Sequence, residues 1–352
     1  MQDNTKAILP RFVEMGTGLV ADLISILRKY EVHFSKVLFL YDDTTLHSGG
    51  QRLMAVLETN RVKTFGHSVK NSDDTNVKHV GTVIEKHDPD LIIGFGGGKV
   101  LDVAKLAAAG HDTHFISIPT TLSNDGIASP VSVIKDAQNI PISHITQPPY
   151  GVIVDIDVVK QAPLRHLMAG VGDLLSNLSA VFDARLAHRK KKEVVDDNAL
   201  KLAEAGGLRL LESRTRDVNT KPFLQHLAEG LVKSGFAMCI SGTSRPASGS
   251  EHKISHSIDH YFPPSKSLHG EQVGIAAVFT MVLQNNRELQ RLRTFYQRIN
   301  FPMKISYLGL NDDQFTTVVL NATKIRPERY TILEAIKPTA ADILRTLKSA
   351  DL

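Results

Sequence analysis

Residues 91–110 place a buried strand, a run of glycines and a helix in immediate succession, and this order constrains the fold more than any other stretch. The apolar strand reads LIIGFGGG, and the helix that follows reads KVLDVAKLAAAG. Glycine lets the backbone approach a ligand closely, and the first N–H groups of a helix are unpaired at the positive end of its dipole. The segment therefore predicts a βα turn that binds phosphate, although its glycines do not follow the spacing GxGxxG. A tight turn without a ligand is the alternative.

Strand-like and helix-like segments alternate as far as about residue 155, and this alternation predicts parallel βαβ units. The strand-type runs are KVLFLYDD, VKTFGHSV, LIIGFGGG, HFISIPTT and YGVIVDID. After about residue 157 the apolar residues recur at helical spacing, as in LRHLMAGVGDLLSNLSAVFDARLAHR. We therefore expect an α/β, Rossmann-like parallel-sheet domain over residues 1–156, which binds the dinucleotide. An all-α helical domain over residues 157–352 is expected to bind metal and substrate.

The composition argues against several classes of protein. Lysine and arginine number 41 against 37 aspartates and glutamates, so the charge balance gives no reason to expect a nucleic-acid partner. The single cysteine, Cys239, excludes an intrachain disulfide and a cysteine-based metal site, and it fits a reducing cytoplasm. The first residues, MQDNTKAILPRF, lack the apolar core of a signal peptide, and the apolar stretch GIAAVFTMVL is too short for membrane insertion. We expect a cytoplasmic homo-oligomer.

Two more polar segments follow predicted strands. IPTTLSNDGIASP places Thr120, Thr121, Ser123 and Asp125 just after one strand, and ligands of open parallel sheets bind beyond the carboxyl ends of the strands. A loop held by side-chain hydrogen bonds is the alternative interpretation. Asp42 ends an earlier strand, where a carboxylate can bind the adenosine ribose and repel the 2′-phosphate of NADP, or can serve only as a helix N-cap.

Histidines cluster in the segment SGSEHKISHSIDHYFPPSKSLHGEQVG. His252, His256 and His260 are spaced four residues apart and share one helix face, a Pro-Pro pair ends that helix, and His269 begins the next. Neutral imidazoles are good ligands for zinc, nickel or iron. Asp173 can add a carboxylate, and such a three-residue set keeps a position open for substrate. Surface histidines on a polar helix are the alternative.

Several blocks, in order along the chain, resemble the signature motifs of sn-glycerol-1-phosphate dehydrogenases: GGGKVLDVAK, PTTLSNDGIASP, AGVGDLLSN, SRPASGSEHKISHSID and LHGEQVG. These enzymes belong to a metal-dependent superfamily with a dehydroquinate synthase-like fold, which also includes glycerol dehydrogenase and iron-containing alcohol dehydrogenases. The matching blocks lie between about residues 94 and 275.

The resemblance implies a role for each motif. One divalent ion, zinc before nickel or iron, would be held by Asp173, His252 and His269. Asp125, Asp173 and His256 would contact the substrate, with Asp125 and His256 as the catalytic residues. With Asp42 and the glycines added, the expected site for NAD or NADP, with NAD favoured, consists of Asp42, Gly96, Gly97, Gly98, Lys99, Val100, Leu101, Asp102, Thr120, Thr121, Leu122, Ser123 and Ser129.

The implied reaction interconverts dihydroxyacetone phosphate, a phosphorylated triose, and sn-glycerol 1-phosphate, with NAD(P) as the hydride carrier. Arg245 and Lys253 flank the histidine block, and we expect them to pair with the substrate phosphate, because a buried phosphate needs a cation. Three alternatives stay open. They are a glycerol or other polyol dehydrogenase, a dehydroquinate-synthase-like cyclase on the same fold, and a non-enzymatic nucleotide-binding or sensor protein.

Overall fold

The computed structural model describes residues 7–263 and 265–352. The start of the N-terminal segment and Pro264, the second proline of the predicted helix end, lie outside the described residues. The chain divides into two compact units: the first consists of the described residues up to Leu122 with Gly126–Pro163, and the second of Ser123–Asp125 with Leu164–Leu352. The domain limits given above, residues 1–156 and 157–352, stay predictions.

The described part of the first unit is built on a parallel sheet. Its strands are β1 Phe12–Gly16, β2 Lys36–Tyr41, β3 Lys63–Ser68, β4 Leu91–Gly96, β5 His114–Pro119 and, after the antiparallel pair β6 Val131–Lys135 and β7 Pro141–Ile145, β8 Gly151–Asp155. Within this part of the chain, the order across the sheet is β1-β8-β5-β4-β2-β3, with all neighbours parallel. The helices of this unit are α1 Leu23–Lys29, α2 Asp43–Thr45, α3 Gln51–Thr59, α4 Asp74–His87, α5 Gly98–Gly110 and α6 Ile156–Val159. The predicted parallel βαβ architecture is confirmed.

The direction of strand addition reverses between β2 and β4, and this reversal marks where the sheet can take a ligand. The chain passes from β2 outward to β3 and then returns to the other side of β2, where Leu40 pairs with Gly94. In open parallel sheets, ligands bind beyond the carboxyl ends of the strands at such a switch point. Asp42 follows β2 there, and the glycine run follows β4.

The described residues of the second unit form helices joined by loops. Its helices are α7 Leu164–Lys191, α8 Asp197–Leu211, α9 Lys221–Ser241, α10 Ser250–Tyr261, α11 His269–Leu283, α12 Leu289–Ile299, α13 Asp312–Ala322, α14 Ile332–Ile336 and α15 Ala340–Ala350. The predicted all-α character of this part is confirmed. Among the described residues, no helix combines the length and the apolar character that a bilayer span requires.

Candidate metal centre and dinucleotide loop

Three helices of the second unit bring Asp173, His252 and His269 together. One potential ligand atom of each residue lies within 4.8 Å of those of the other two. The Nε2 atoms of His252 and His269 are 3.3 Å apart, and Nε2 of His269 is 3.7 Å from Oδ1 of Asp173. Among the described residues, these three are the one group of acidic, histidine or cysteine side chains that come together with the spacing of a metal site.

Glycines explain how two of these residues come so close. A Cβ atom on Gly172 of α7 would overlap the carbonyl oxygen of Gly270 on α11, and a Cβ on Gly270 would overlap the carbonyl oxygen of Ala169. The two helix backbones are therefore in direct contact at this crossing. Asp173 and His269 are the chain neighbours of these glycines, so the contact holds a carboxylate beside an imidazole.

The outer nitrogens of both histidines have partners, and this makes the cluster suitable for a cation. Nδ1 of His252 lies 2.9 Å from Oε1 of Glu251, and Nδ1 of His269 lies 3.2 Å from Oγ of Ser255. An imidazole that donates its Nδ1–H keeps a lone pair on Nε2. Two such lone pairs and a carboxylate oxygen would repel one another, and a divalent ion among them would turn the repulsion into coordination. The residues therefore fit a metal ion of the kind that histidine and carboxylate bind.

The protonation properties of the cluster agree with that role. Burial, followed by the charges of Arg326 and Arg329, lowers the pKa of His252 to about 3. Burial, followed by His252 and Arg326, lowers the pKa of His269 to about 3. Burial and the nearby carboxylate of Asp125 raise the pKa of Asp173 well above its usual value. The imidazoles are thus neutral near pH 7, and a cation would favour the ionised form of Asp173.

Asp125 and His256, the predicted catalytic residues, lie beside this cluster. The backbone N–H of Asp125 donates to Oδ2 of Asp173 at 2.9 Å, and the hydroxyl of Ser234 donates to Oδ2 of Asp125 at 2.7 Å. The ring of His256 lies 6.4 Å from that of His269, measured between centroids. His256 is therefore near the potential ligand atoms without being one of them.

The predicted dinucleotide residues of the first unit surround the loop between β4 and α5. Gly97 caps α5, and its carbonyl oxygen accepts hydrogen bonds from the N–H groups of Val100 and Leu101. A side chain at Gly96 would overlap Val100, and one at Gly97 would come within 3.1 Å of the methyl group of Thr121. The bare backbone thus leaves the first N–H groups of α5 open to an anion.

Several other predicted cofactor residues border this loop. The backbone N–H of Thr120 donates to the carbonyl oxygen of Gly96 at 3.0 Å. In the described structure, the buried hydroxyls of Thr121 and Ser129 find no hydrogen-bond partner, so these polar atoms fit a ligand site. Asp102 lies in the second turn of α5, and Leu122 is buried. Ser123 belongs to the second unit with Asp125.

Asp42 directly follows the carboxyl end of β2, and it has two partners. Its Oδ1 accepts a hydrogen bond from the N–H of Thr45 at 2.9 Å, so it caps α2. Its Oδ2 lies 3.3 Å from the ammonium of Lys99. Asp42 is therefore a helix N-cap, and it also forms an ion pair with Lys99 of the glycine loop.

Comparison with known proteins places these features in a family. The family model described as iron-containing alcohol dehydrogenase matches residues 14–163. A protein of Hyperthermus butylicus named glycerol-1-phosphate dehydrogenase (NAD(P)+) is 35% identical over 326 residues, which cover 92% of each chain. One of the same name from Archaeoglobus fulgidus is 34% identical over 94% of each chain.

The chain belongs to the glycerol-1-phosphate dehydrogenase family.

The chain has the same fold as the solved structure of a probable glycerol dehydrogenase from Sinorhizobium meliloti. Its TM-score is 0.77 at 20% identity, and the match covers 97% of this chain and 96% of that chain. The predicted fold class is confirmed by this similarity.

The structure corrects one expectation, namely that Arg245 and Lys253 pair with the substrate phosphate. Arg245 is buried, its guanidinium forms an ion pair with the Glu193 carboxylate at 2.8 Å, and it donates a hydrogen bond to the carbonyl oxygen of Tyr330. Lys253 is fully buried and donates to Glu334 at 2.6 Å. Both cations hold the second unit together and are already neutralised.

Sequence reasoning missed the partners of the metal-site histidines, namely Glu251, Ser255 and Gln272. The only signal for Glu251 is its place directly before His252 in the motif SEH. Ser255 and Gln272 are polar residues, and both are buried. Buried polar residues of this kind need hydrogen-bond partners. A search for polar residues within helix segments expected to be buried could therefore have identified Ser255 and Gln272.

Proposed function

We propose that the protein is a metal-dependent, NAD(P)-linked oxidoreductase that interconverts dihydroxyacetone phosphate and sn-glycerol 1-phosphate. The two relatives reported above, which carry the name of this enzyme, match more than nine-tenths of the chain. The observation that carries the proposal is the convergence of the donor atoms of Asp173, His252 and His269. Two imidazoles and one carboxylate form the three-ligand set that catalytic zinc sites use, so we propose zinc before nickel or iron.

The chain's own residues position the substrate and manage its proton. A bound divalent ion would supply a Lewis acid for the oxygen at C2 of the substrate. Burial, followed by the charge of Arg326, lowers the pKa of His256 well below its usual value, so its imidazole is neutral. A neutral imidazole can accept the hydroxyl proton during oxidation and return it during reduction. The hydrogen bonds to Asp173 and from Ser234 hold Asp125 in one orientation, in which it can bind a substrate hydroxyl.

Bound NAD or NADP would supply the hydride carrier for C2, and His256 would take up or return the proton of the oxygen at C2. We propose that the glycine loop at the start of α5 binds the pyrophosphate of NAD or NADP. Asp42 would bind the adenosine ribose and favour NAD. Its ion pair with Lys99 weakens that preference, because the ammonium offsets part of the negative charge that a 2′-phosphate would meet.

The substrate phosphate needs a cation, and we propose Arg326 for this role in place of Arg245 and Lys253. Arg326 lies in the loop between α13 and α14, and its carbonyl oxygen accepts a hydrogen bond from Lys253 on α10. The positive charge of Arg326 is the second-largest cause, after burial, of the lowered pKa of both His252 and His256. The guanidinium is therefore within electrostatic reach of the residues that would bind the rest of the substrate.

A substrate panel tests this function. Initial rates with NADH and NADPH should be highest for dihydroxyacetone phosphate, well above those for dihydroxyacetone and other unphosphorylated ketones, and should fall on removal of metal. A preference for glycerol or dihydroxyacetone over the phosphate esters would favour the polyol dehydrogenase. Turnover of a substrate without net change in NADH would favour the cyclase, and metal-independent dinucleotide binding without any turnover would favour a sensor.

A further inference from the structure

We infer that Glu251, Ser255 and Gln272 are positioning residues that fix the tautomers of the two metal-site histidines, each histidine through its own partner. This inference rests on the metal-dependent function proposed above. It concerns residues that do not touch the substrate and act through His252 and His269.

The His252 side is a direct contact with a carboxylate. Oε1 of Glu251 accepts the backbone N–H of Gly249 at 2.6 Å and lies 2.9 Å from Nδ1 of His252. A carboxylate oxygen can only accept hydrogen bonds, so in the contact with the Glu251 carboxylate Nδ1 of His252 carries the hydrogen. The carboxylate also makes the imidazole a better electron-pair donor, as carboxylate partners of metal-bound histidines do.

The His269 side is a relay of neutral groups. The hydroxyl of Ser255 donates its single hydrogen to Oε1 of Gln272 at 2.5 Å. Its oxygen can then only accept from Nδ1 of His269, 3.2 Å away. Nδ1 of His269 therefore also carries its hydrogen, and Nε2 keeps the lone pair.

The placement of the hydrogen on Nδ1 of His269 depends on the orientation of the Gln272 amide, and the Asp259 carboxylate fixes that orientation. Nε2 of Gln272 donates to Oδ1 of Asp259 at 2.9 Å and to the hydroxyl of Ser267 at 3.1 Å. A flipped amide would place its oxygen against the Asp259 carboxylate, where two acceptors would meet. The relay thus runs from Asp259 through Gln272 and Ser255 to His269, with one possible direction for each hydrogen bond.

Burial explains why these groups matter. Glu251 and Ser255 are fully buried, and Gln272 is 1% exposed. Buried polar groups cost stability unless they are hydrogen-bonded, and apolar residues would fill the same positions at lower cost. We infer that these polar residues are present because they orient the histidines, so that both Nε2 lone pairs face the same point as the Asp173 carboxylate.

Metal affinity of the purified protein tests the inference. Zn²⁺ binding to the metal-free protein would be measured by competition with a chelating dye, and Co²⁺ binding by its visible absorption bands, which report ligand geometry. We expect Ser255→Ala and Glu251→Gln each to weaken Zn²⁺ binding about 10- to 100-fold and to change the Co²⁺ bands. Ser255→Thr, which keeps the hydroxyl, should restore most of the affinity.

Ser257→Ala is the matched control. Ser257 is a fully buried serine of the same helix, but its hydroxyl donates to the carbonyl oxygen of Val318 at 2.8 Å. This variant should lose stability to a similar extent while its Zn²⁺ affinity and Co²⁺ spectrum stay as in the wild type. Should Glu251→Gln fail to fold, the pair Ser255→Ala and Ser257→Ala still decides the question.

Reduction of dihydroxyacetone phosphate, measured on the same samples, separates this inference from the proposed function. A wild type that binds Zn²⁺ more tightly than Ser255→Ala supports the inference even if it reduces no dihydroxyacetone phosphate. Equal Zn²⁺ affinities of Ser255→Ala and Ser257→Ala overturn the inference, even in a protein that reduces dihydroxyacetone phosphate. A wild type that binds neither ion also overturns it.

Discussion

Lys99 changes what the carboxylate of Asp42 does to a dinucleotide. The two side chains form an ion pair at 3.3 Å, and each is partly exposed to solvent. Such pairs are worth about 0.2–1 kcal/mol, so the effect on cofactor choice should be modest. We expect Lys99→Met to shift the ratio of kcat/KM values toward NADH by about 2- to 5-fold, and Asp42→Asn to shift it toward NADPH. Steady-state kinetics at fixed ionic strength measure both shifts.

Lys86→Met is the control for this prediction, since Lys86 is an exposed lysine in the last turn of α4. It should leave the ratio unchanged. If Lys99→Met and Asp42→Asn moved the ratio in the same direction, the ion pair would not govern cofactor choice.

Arg326 should be the residue that distinguishes a phosphorylated ketone from an unphosphorylated one. Loss of one charge-assisted contact costs about 1.5–3 kcal/mol. Arg326→Ala should therefore raise the KM for dihydroxyacetone phosphate about 10- to 100-fold and leave dihydroxyacetone almost unaffected. Arg345→Ala, which removes an arginine that is 75% exposed on α15, should change neither KM. An equal loss with both ketones would mean that Arg326 supports the fold rather than the phosphate.

Single residues were predictable from the sequence where a motif fixes both their type and their direction. The donors Asp173, His252 and His269 were predicted as a set, and the structure brings them together. Lys253 follows His252 directly, but successive residues of a helix point about 100° apart. Its ammonium therefore reaches Glu334 instead of a substrate. Sequence proximity to a motif does not show which way a side chain points.

At the scale of elements, the crossing of α7 and α11 holds the metal site together. A methyl group on Gly270 would overlap the carbonyl oxygen of Ala169 and push the helices apart. We expect Gly270→Ala to destabilise the protein by about 1–3 kcal/mol and to lower metal occupancy, because Asp173 and His269 would separate. Thermal unfolding and metal analysis of the purified variant measure the two effects.

Gly110→Ala is the matched glycine substitution, because nothing described lies within 4 Å of a Cβ added there. It should change stability by less than about 1 kcal/mol and leave the metal content as in the wild type. Normal metal occupancy in Gly270→Ala would show that the helix contact is not needed to form the site.

Strong local patterns predicted most elements of the first unit, whereas weakly patterned strands and a strand with a distant partner were missed. The buried run before the glycines is β4, and the helical run after them is α5. The antiparallel pair of β6 and β7 was not predicted, since VSVIK and PISHI are short and partly polar. β1 was also missed, because its partner in the sheet is β8, more than 130 residues later.

At the scale of the whole molecule, the change from alternating strands and helices to helices alone predicted the fold class. The periodicity of apolar residues determines element type, and repeated strand–helix units lead to a parallel sheet. The sheet order could not be predicted in the same way, because it depends on which strands pair across long stretches of chain. The cytoplasmic location and the homo-oligomer stay predictions.

The stereochemistry of the product tests the proposed reaction most directly. Metal-loaded protein would be incubated with dihydroxyacetone phosphate and NADH, and the glycerol phosphate formed would be resolved by chiral separation. We predict sn-glycerol 1-phosphate as the only enantiomer, one NADH oxidised for each molecule formed, and no product from metal-free protein. Formation of sn-glycerol 3-phosphate or a racemate, or an unchanged rate in metal-free protein, would contradict the proposal.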